Sequence, residues 1–191
     1  VGIKRELEGR HPPLRPDAWL NGRDGDYVAL QNGILDIRTG QLEPHDPAWF
    51  SFTTLPFAYT PTADCPTFRS FLHSVWDGDR ELERALQLWL GYILVRPMSQ
   101  QKFAVLIGES RAGKSTLARV MEGLVGRENV VGCDMMQFGD SFGLEPVIGK
   151  KLCVFSDIEK ASGKEVLIAT ERIKRITGSD PITVNRKNNG M

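Results

Sequence analysis

The chain has 191 residues and a mass of 21.3 kDa, about one to one and a half average domains. With 41% hydrophobic and 25% charged residues it has the composition of a globular chain, which excludes a disordered tail, a collagen-like fibre and a coiled coil. The longest apolar runs, Phe103–Ile107 and Leu152–Phe155, fall far short of the roughly 20 residues a membrane helix needs, so no membrane partner is expected. No basic-then-apolar segment opens the chain. Cys65, Cys133 and Cys153 are odd in number and lack CxxC spacing, which points away from a disulfide framework or a zinc site and towards a reducing cytoplasm. The net charge of zero hides a slope. Residues 1–99 carry 10 basic and 13 acidic side chains, and residues 100–191 carry 14 and 11, a difference that an ordinary solvated face also explains. Because the first residue is Val, the chain is expected to be a piece of something longer.

Residues 1–26 contain His11-Pro12-Pro13, Pro16 and Asn21-Gly22-Arg23-Asp24-Gly25 and read as an irregular arm. Tyr27–Ile37 reads as two short strands turned at Asn32-Gly33. Residues 41–66 are rich in proline and aromatics and look extended and packed. From Pro66, the spacing of Phe68, Phe71, Leu72, Val75 and Trp76 predicts a helix that Asp77-Gly78 breaks. A second helix runs from about Asp79 to Leu94, with Leu82, Leu86, Trp89 and Ile93 on one face. These aromatic stripes read as helical core rather than as a ligand box.

Beyond Arg96-Pro97 the pattern changes. Phe103–Ile107 is continuously apolar, as in a buried parallel strand. A glycine-rich turn follows, then a helix with Leu117, Val120, Met121 and Leu124 on one face. Lys151–Ser156 reads as a second buried strand, Glu165–Ile176 as a helix, Pro181–Val184 as a short strand and Asn185–Gly190 as a polar, basic turn. Strand, helix and strand at this spacing predict an α/β sheet. The expected organisation is an arm (1–26), a β-hairpin and helical region (27–98) and a nucleotide domain (99–191).

Gly108-Glu109-Ser110-Arg111-Ala112-Gly113-Lys114-Ser115 fits G-x-x-x-x-G-K-[ST] at every position. Glycines let such a loop curl so that successive N–H groups face phosphate oxygens. Lys114 would reach the β- and γ-phosphates, the Ser115 hydroxyl would ligate Mg²⁺, and the helix behind aims its positive end at the same charge. Gly108 to Thr116 are thus the expected ATP-binding residues. A metal needs a carboxylate on its outer side, normally at the end of a neighbouring buried strand. Leu152–Phe155 leads to Asp157 and Glu159, which point the same way in extended backbone. Asp157 is the better Mg²⁺ ligand because it lies nearer the strand end, and Glu159 would orient the attacking water. With Lys114 they form the expected catalytic set. Lys174-Arg175-Ile176-Thr177-Gly178-Ser179-Asp180-Pro181-Ile182-Thr183-Val184-Asn185-Arg186-Lys187-Asn188-Asn189 reads as a basic helix end, a Gly turn, a short strand and a basic tip able to reach nucleic-acid phosphates.

This ordered set resembles the superfamily 3 helicases, and more narrowly the phage and plasmid primase–helicases with their poxvirus relatives. Leu30-Gln31-Asn32-Gly33-Ile34-Leu35-Asp36, Leu55-Pro56-Phe57, Cys65-Pro66-Thr67-Phe68 and Gly91-Tyr92 resemble the region that precedes the motor in that group. The resemblance implies an AAA+-like P-loop NTPase core, incomplete at its C-terminus, behind a β-hairpin and helical region. It implies a hexameric ring that hydrolyses ATP between subunits and moves on single-stranded DNA. Lys174, Arg186 and Lys187 would serve the DNA-contacting hairpin, with Gly178 in its motif. Ala112 stands where relatives often carry Asn. The family's polar sensor residue and arginine finger would lie after Met191, and a primase domain upstream, so the piece alone would bind ATP yet turn it over weakly. The cytoplasm of a bacterial host is the implied location, with a phage, plasmid or prophage as the source. A small-molecule P-loop kinase and a non-enzymatic ATP switch are the alternatives.

Overall fold

A computed structural model describes residues 27–46, 49, 51, 53–95, 100–156 and 163–187. They fall into two compact units, one up to Thr60 and one from Pro61. This division lies elsewhere than the expected boundary near residue 98, because the two helices that follow residue 65 pack with the second unit.

The first unit is an antiparallel meander of β1 (Tyr27–Leu30), β2 (Gly33–Asp36) and β3 (Leu42–Glu43). The register Leu30↔Gly33 leaves Gln31-Asn32 as the tight turn. Gly33 is required there twice over: its φ is +151°, and a Cβ would lie 2.3 Å from the Glu43 carbonyl oxygen. Val28, Ala29, Leu30, Ile34 and Leu55 are buried. The expected extended segment comes back along β1, with Leu55 N–H donating to the Ala29 carbonyl and Gln31 N–H to the Phe57 carbonyl. Asn32 fastens it from both sides: its Nδ2 donates to the Tyr59 carbonyl (3.0 Å) and its Oδ1 accepts from Tyr59 N–H (2.9 Å). The buried Asp36 carboxylate accepts from the Arg38 and Thr39 amides.

The second unit opens with α1 (Pro66–Trp76) and α2 (Arg80–Leu94). Pro66 begins α1, where its missing N–H costs nothing, and the Asp79 carboxylate caps α2 by accepting from the amides of Glu81 and Leu82. Next come α3 (Lys114–Val125), β4 (Val130–Cys133), α4 (Met135–Gly139), β5 (Leu152–Phe155) and α5 (Lys164–Thr177). β4 and β5 pair in parallel.

Two apolar clusters form, one among three helices and one between two, and β5 contributes to both. Leu72, Leu86, Leu117 and Met121 join α1, α2 and α3, with Phe68, Phe71, Trp76, Trp89 and Leu152 packed around them. Met135, Phe138, Leu144 and Ala169 join α4 and α5, with Cys133, Phe155, Ile182 and Val184 around them. Leu152 and Phe155 enter different clusters because successive side chains of a strand leave on opposite faces. Each fully buried leucine contributes roughly 1.5–3 kcal/mol, so these clusters hold the helices in place.

Several expectations differ from the structure. Residues 103–107 do not form a strand: Phe103 is 62% exposed and Ile107 90%, and no described residue pairs with their backbone in a sheet. An apolar run becomes a buried strand only where a neighbour accepts its ladder, and among the described residues no strand pairs with this run. Pro181–Val184 is likewise not a strand, although Ile182 and Val184 pack on the α4–α5 cluster as a strand's side chains would. β5 is half-buried rather than fully buried. Leu82 is 46% exposed, and Leu90 takes the expected place on the α2 face. No helix among the described residues is long and apolar enough to cross a membrane.

Candidate nucleotide-binding loop and basic tip

The loop 108–113 enters α3 through Gly113, whose φ of +81° is left-handed. A Cβ on Gly113 would also lie 3.0 Å from Phe71 Cζ and 3.3 Å from Val75 Cγ2. Glycine is therefore set both by the backbone turn and by the side chains of α1 behind it. Arg111 is a second left-handed residue, with φ of +67°, and Ala112 N–H closes a turn on the Glu109 carbonyl. The loop curls around one cation. Lys114 Nζ donates to the carbonyls of Gly108 and Glu109, each at 2.7 Å. Gly108, Glu109, Ser110, Arg111 and Ala112 are exposed, Gly113 and Lys114 half-buried, and Ser115 and Thr116 exposed on the first turn of α3. No side chain caps this helix end. The loop thus presents a lysine, two hydroxyls and an uncapped helix N-terminus on one exposed turn, a set of donors suited to phosphate oxygens.

Among the groups expected to hold ATP and Mg²⁺, Ser115 offers its hydroxyl at the helix start. Asp157 and Glu159 lie outside the described residues, so Ser115 is the part of the expected metal set whose surroundings are described.

The basic region resolves into two different situations. Lys174, near the end of α5, is engaged at the surface: its Nζ lies 2.8 Å from Glu171 Oε1. Both side chains are about two-thirds exposed, and such a pair contributes little and is easily exchanged. Gly178 ends the helix by donating to the Lys174 carbonyl (2.8 Å). Arg175 reaches forward to the Pro181 carbonyl and so folds the following segment back.

Arg186 and Lys187 are exposed at the tip. Lys187 N–H donates to Glu145 Oε2 at 3.2 Å, and its ammonium sits 5.4 Å from the Phe142 ring centroid. Phe142 and Lys187 line a cavity of about 470 Å³ with Cys133, Asp134 and Gln137. Phe142 and Glu145 are neighbours of the tip that sequence reasoning missed, since they precede Lys187 by more than 40 residues and carry no motif. The backing of Gly113 by Phe71 and Val75 was missed for the same reason.

Residues 20–77 match the family described as D5 N terminal like, a segment that forms the N-terminal part of phage and plasmid primase–helicase proteins. Residues 106–190, which contain the loop and the tip, match a family of unknown function (DUF5906). A similar protein is the uncharacterized mitochondrial protein ymf21 of Marchantia polymorpha, 29% identical over an alignment of 114 residues that covers 53% of this chain. The match spans 63% of that relative's length, and the N-terminal match links the chain in general terms to primase–helicase replication proteins.

Proposed function

We propose that this chain is part of an ATP-driven helicase motor of the phage and plasmid primase–helicase group, built on a P-loop NTPase core. The observation that carries the reading is the Lys114 ammonium held at 2.7 Å from two loop carbonyls, at the mouth of an uncapped helix. Exchanging carbonyl dipoles for phosphate anions strengthens every contact this cation makes. Gly108 to Thr116 bind the phosphates of ATP, and the helix dipole favours the same charge. Ser115 and Asp157 hold Mg²⁺, which when bound neutralises the developing charge on the transferred phosphoryl group. Glu159 accepts a proton from the attacking water and orients it. Lys174, Arg186 and Lys187 contact the phosphates of single-stranded DNA, in a ring of several copies of the complete protein. The N-terminal match to a primase–helicase segment supports this reading over a small-molecule kinase or a passive ATP switch.

The test is titration of a fluorescent ATP analogue against the native chain and Lys114→Ala. Removing the charge-assisted contact costs roughly 1.5–3 kcal/mol, about ten- to a hundredfold in affinity. Equal dissociation constants would remove the phosphate-loop assignment. Turnover that single-stranded DNA stimulates separates a motor from a kinase or switch. It is measured in the complete protein, because the ring multiplies the few contacts that one tip makes.

A further inference from the structure

Two cysteines outside the proposed ATP site lie diagonally across the β4–β5 pair. Cys133 is the last residue of β4 and Cys153 the second of β5. The parallel register pairs Val131 with Cys153 and Cys133 with Phe155. Residues 131 and 133 share a face of the sheet with 153 and 155, so both thiols leave the same side, one diagonal step apart. Both residues are half-buried and free.

Strand geometry decides what this pair can do. Neighbouring strands lie about 4.8 Å apart and two residues rise about 6.6 Å, which separates the two α-carbons by roughly 8 Å. A disulfide needs α-carbons within about 7 Å, so direct S–S bonding requires the strands to shift. A bridging metal ion removes that difficulty, since two metal–sulfur bonds of about 2.3 Å each span the remaining gap. The register therefore favours a sulfur–metal–sulfur bridge over a disulfide.

The ligand count selects the ion. No group of three or more His, Cys, Asp or Glu side chains converges among the described residues, so neither a tetrahedral zinc set nor an oxygen-rich set is found among them. Two soft sulfurs suit a thiophilic ion that is satisfied by two ligands. Cys133 also lines the cavity of about 470 Å³ beside the basic tip. We propose that Cys133 and Cys153 form a two-coordinate site for a soft monovalent cation of the copper(I) class, tying β4 to β5.

The step balances without a redox partner. Each of the two thiols forms one bond to the incoming cation as its proton leaves to water, and no electron is transferred.

The experiment is anaerobic titration of the reduced full chain with copper(I), buffered by a chromophoric chelator. It is followed by counting the thiols that remain reactive. The expected result is one copper per chain, protection of two of the three thiols, and a copper-dependent rise in thermal midpoint. Cys133→Ser and Cys153→Ser should each abolish one-to-one binding and the rise in midpoint, while Cys65→Ser keeps both. Near-ultraviolet circular dichroism of the copper-free variants shows whether each still folds. If one of the two does not, the thiol-protection pattern of the native chain decides alone. Absence of stoichiometric binding, or dependence on Cys65, would overturn the proposal. So would ready closure of a Cys133–Cys153 disulfide by a mild thiol oxidant, because the strand separation would then be wrong.

Discussion

The loop at 108–114 and the tip at 185–187 both expose cationic groups, yet they are held in opposite ways. The loop's defining contacts are local. Lys114 turns back on carbonyls five and six residues earlier, and Gly113 supplies the left-handed turn. The tip is held from a distance, by Glu145 and Phe142, which are 42 and 45 residues away in sequence. The difference teaches that a motif written in contiguous residues makes much of its own geometry. A surface assembled from separate segments depends on the packing of the α4–α5 cluster beneath it.

The largest test of that contrast removes the support under the loop rather than the loop itself. Leu117→Ala should cost roughly 2–5 kcal/mol of stability, because Leu117 is 4% exposed and central to the α1–α3 cluster. Urea unfolding measures it. If the loop makes its own geometry, affinity for an ATP analogue below the unfolding transition should change far less than stability does. A parallel loss of affinity would break the comparison.

Gly113→Ala acts on the loop directly. The left-handed residue alone costs roughly 1–2 kcal/mol, and the close approach to Phe71 adds to it. Weaker binding of the analogue is expected, with little change at the tip. Combining it with Phe71→Ala should recover part of the affinity by relieving that approach, whereas identical affinities for the single and double variants would assign the whole effect to φ.

At the tip, Arg186→Ala with Lys187→Ala should leave analogue binding intact and weaken single-stranded DNA binding in the complete protein. The log–log salt slope should flatten by about 0.7 for each phosphate that is no longer neutralised. Glu145→Ala sharpens the point, since it touches no nucleic acid in this reading yet should loosen the tip. Anisotropy over a salt series reads both, and an unchanged slope in the double variant would reduce the tip to a solvated turn.

The smallest effect lies in the first unit. The Arg38 amide, helped by that of Thr39, holds the Asp36 carboxyl below the ordinary aspartate range. A depressed folded-state pKa stabilises above the unfolded value of about 3.9 and loses that contribution as pH falls through the lower folded value. Asp36→Asn should therefore destabilise the meander at neutral pH, with the difference from the native chain shrinking in acid. Hydrogen exchange of the β1 and β2 amides over a pH series measures it. A difference independent of pH would mean that the charge of Asp36 is irrelevant.

Legibility in the sequence follows the same line between local and distant causes. The hairpin was readable from Asn32-Gly33, although the turn itself is Gln31-Asn32 and Gly33 opens β2, and so was the proline start of α1, because residues a few positions apart carry each signal. β4, with Gly132 among only four residues, and the five-residue α4 gave no periodicity to read. Residues 103–107 misled for a physical reason: an apolar run reports a wish to be buried, whereas a strand needs a neighbour's backbone as well. Lys174 was readable as basic but not as the partner of Glu171 in the folded chain.

Arg172 carries a consequence for the order in which the second unit opens. Its Nη1 donates to the carbonyls of Phe138 and Asp140, closing the C-terminal end of α4 from a residue of α5. The two backbones also meet at Gly139, where a Cβ would lie 2.2 Å from the Glu165 carbonyl oxygen. Five residues are too few to repay helix nucleation alone, so α4 exists as a helix because α5 completes it. The two helices then make one cooperative opening unit. Their amides should exchange with solvent in a single event, and the wall of the cavity beside the basic tip should appear and vanish with α5.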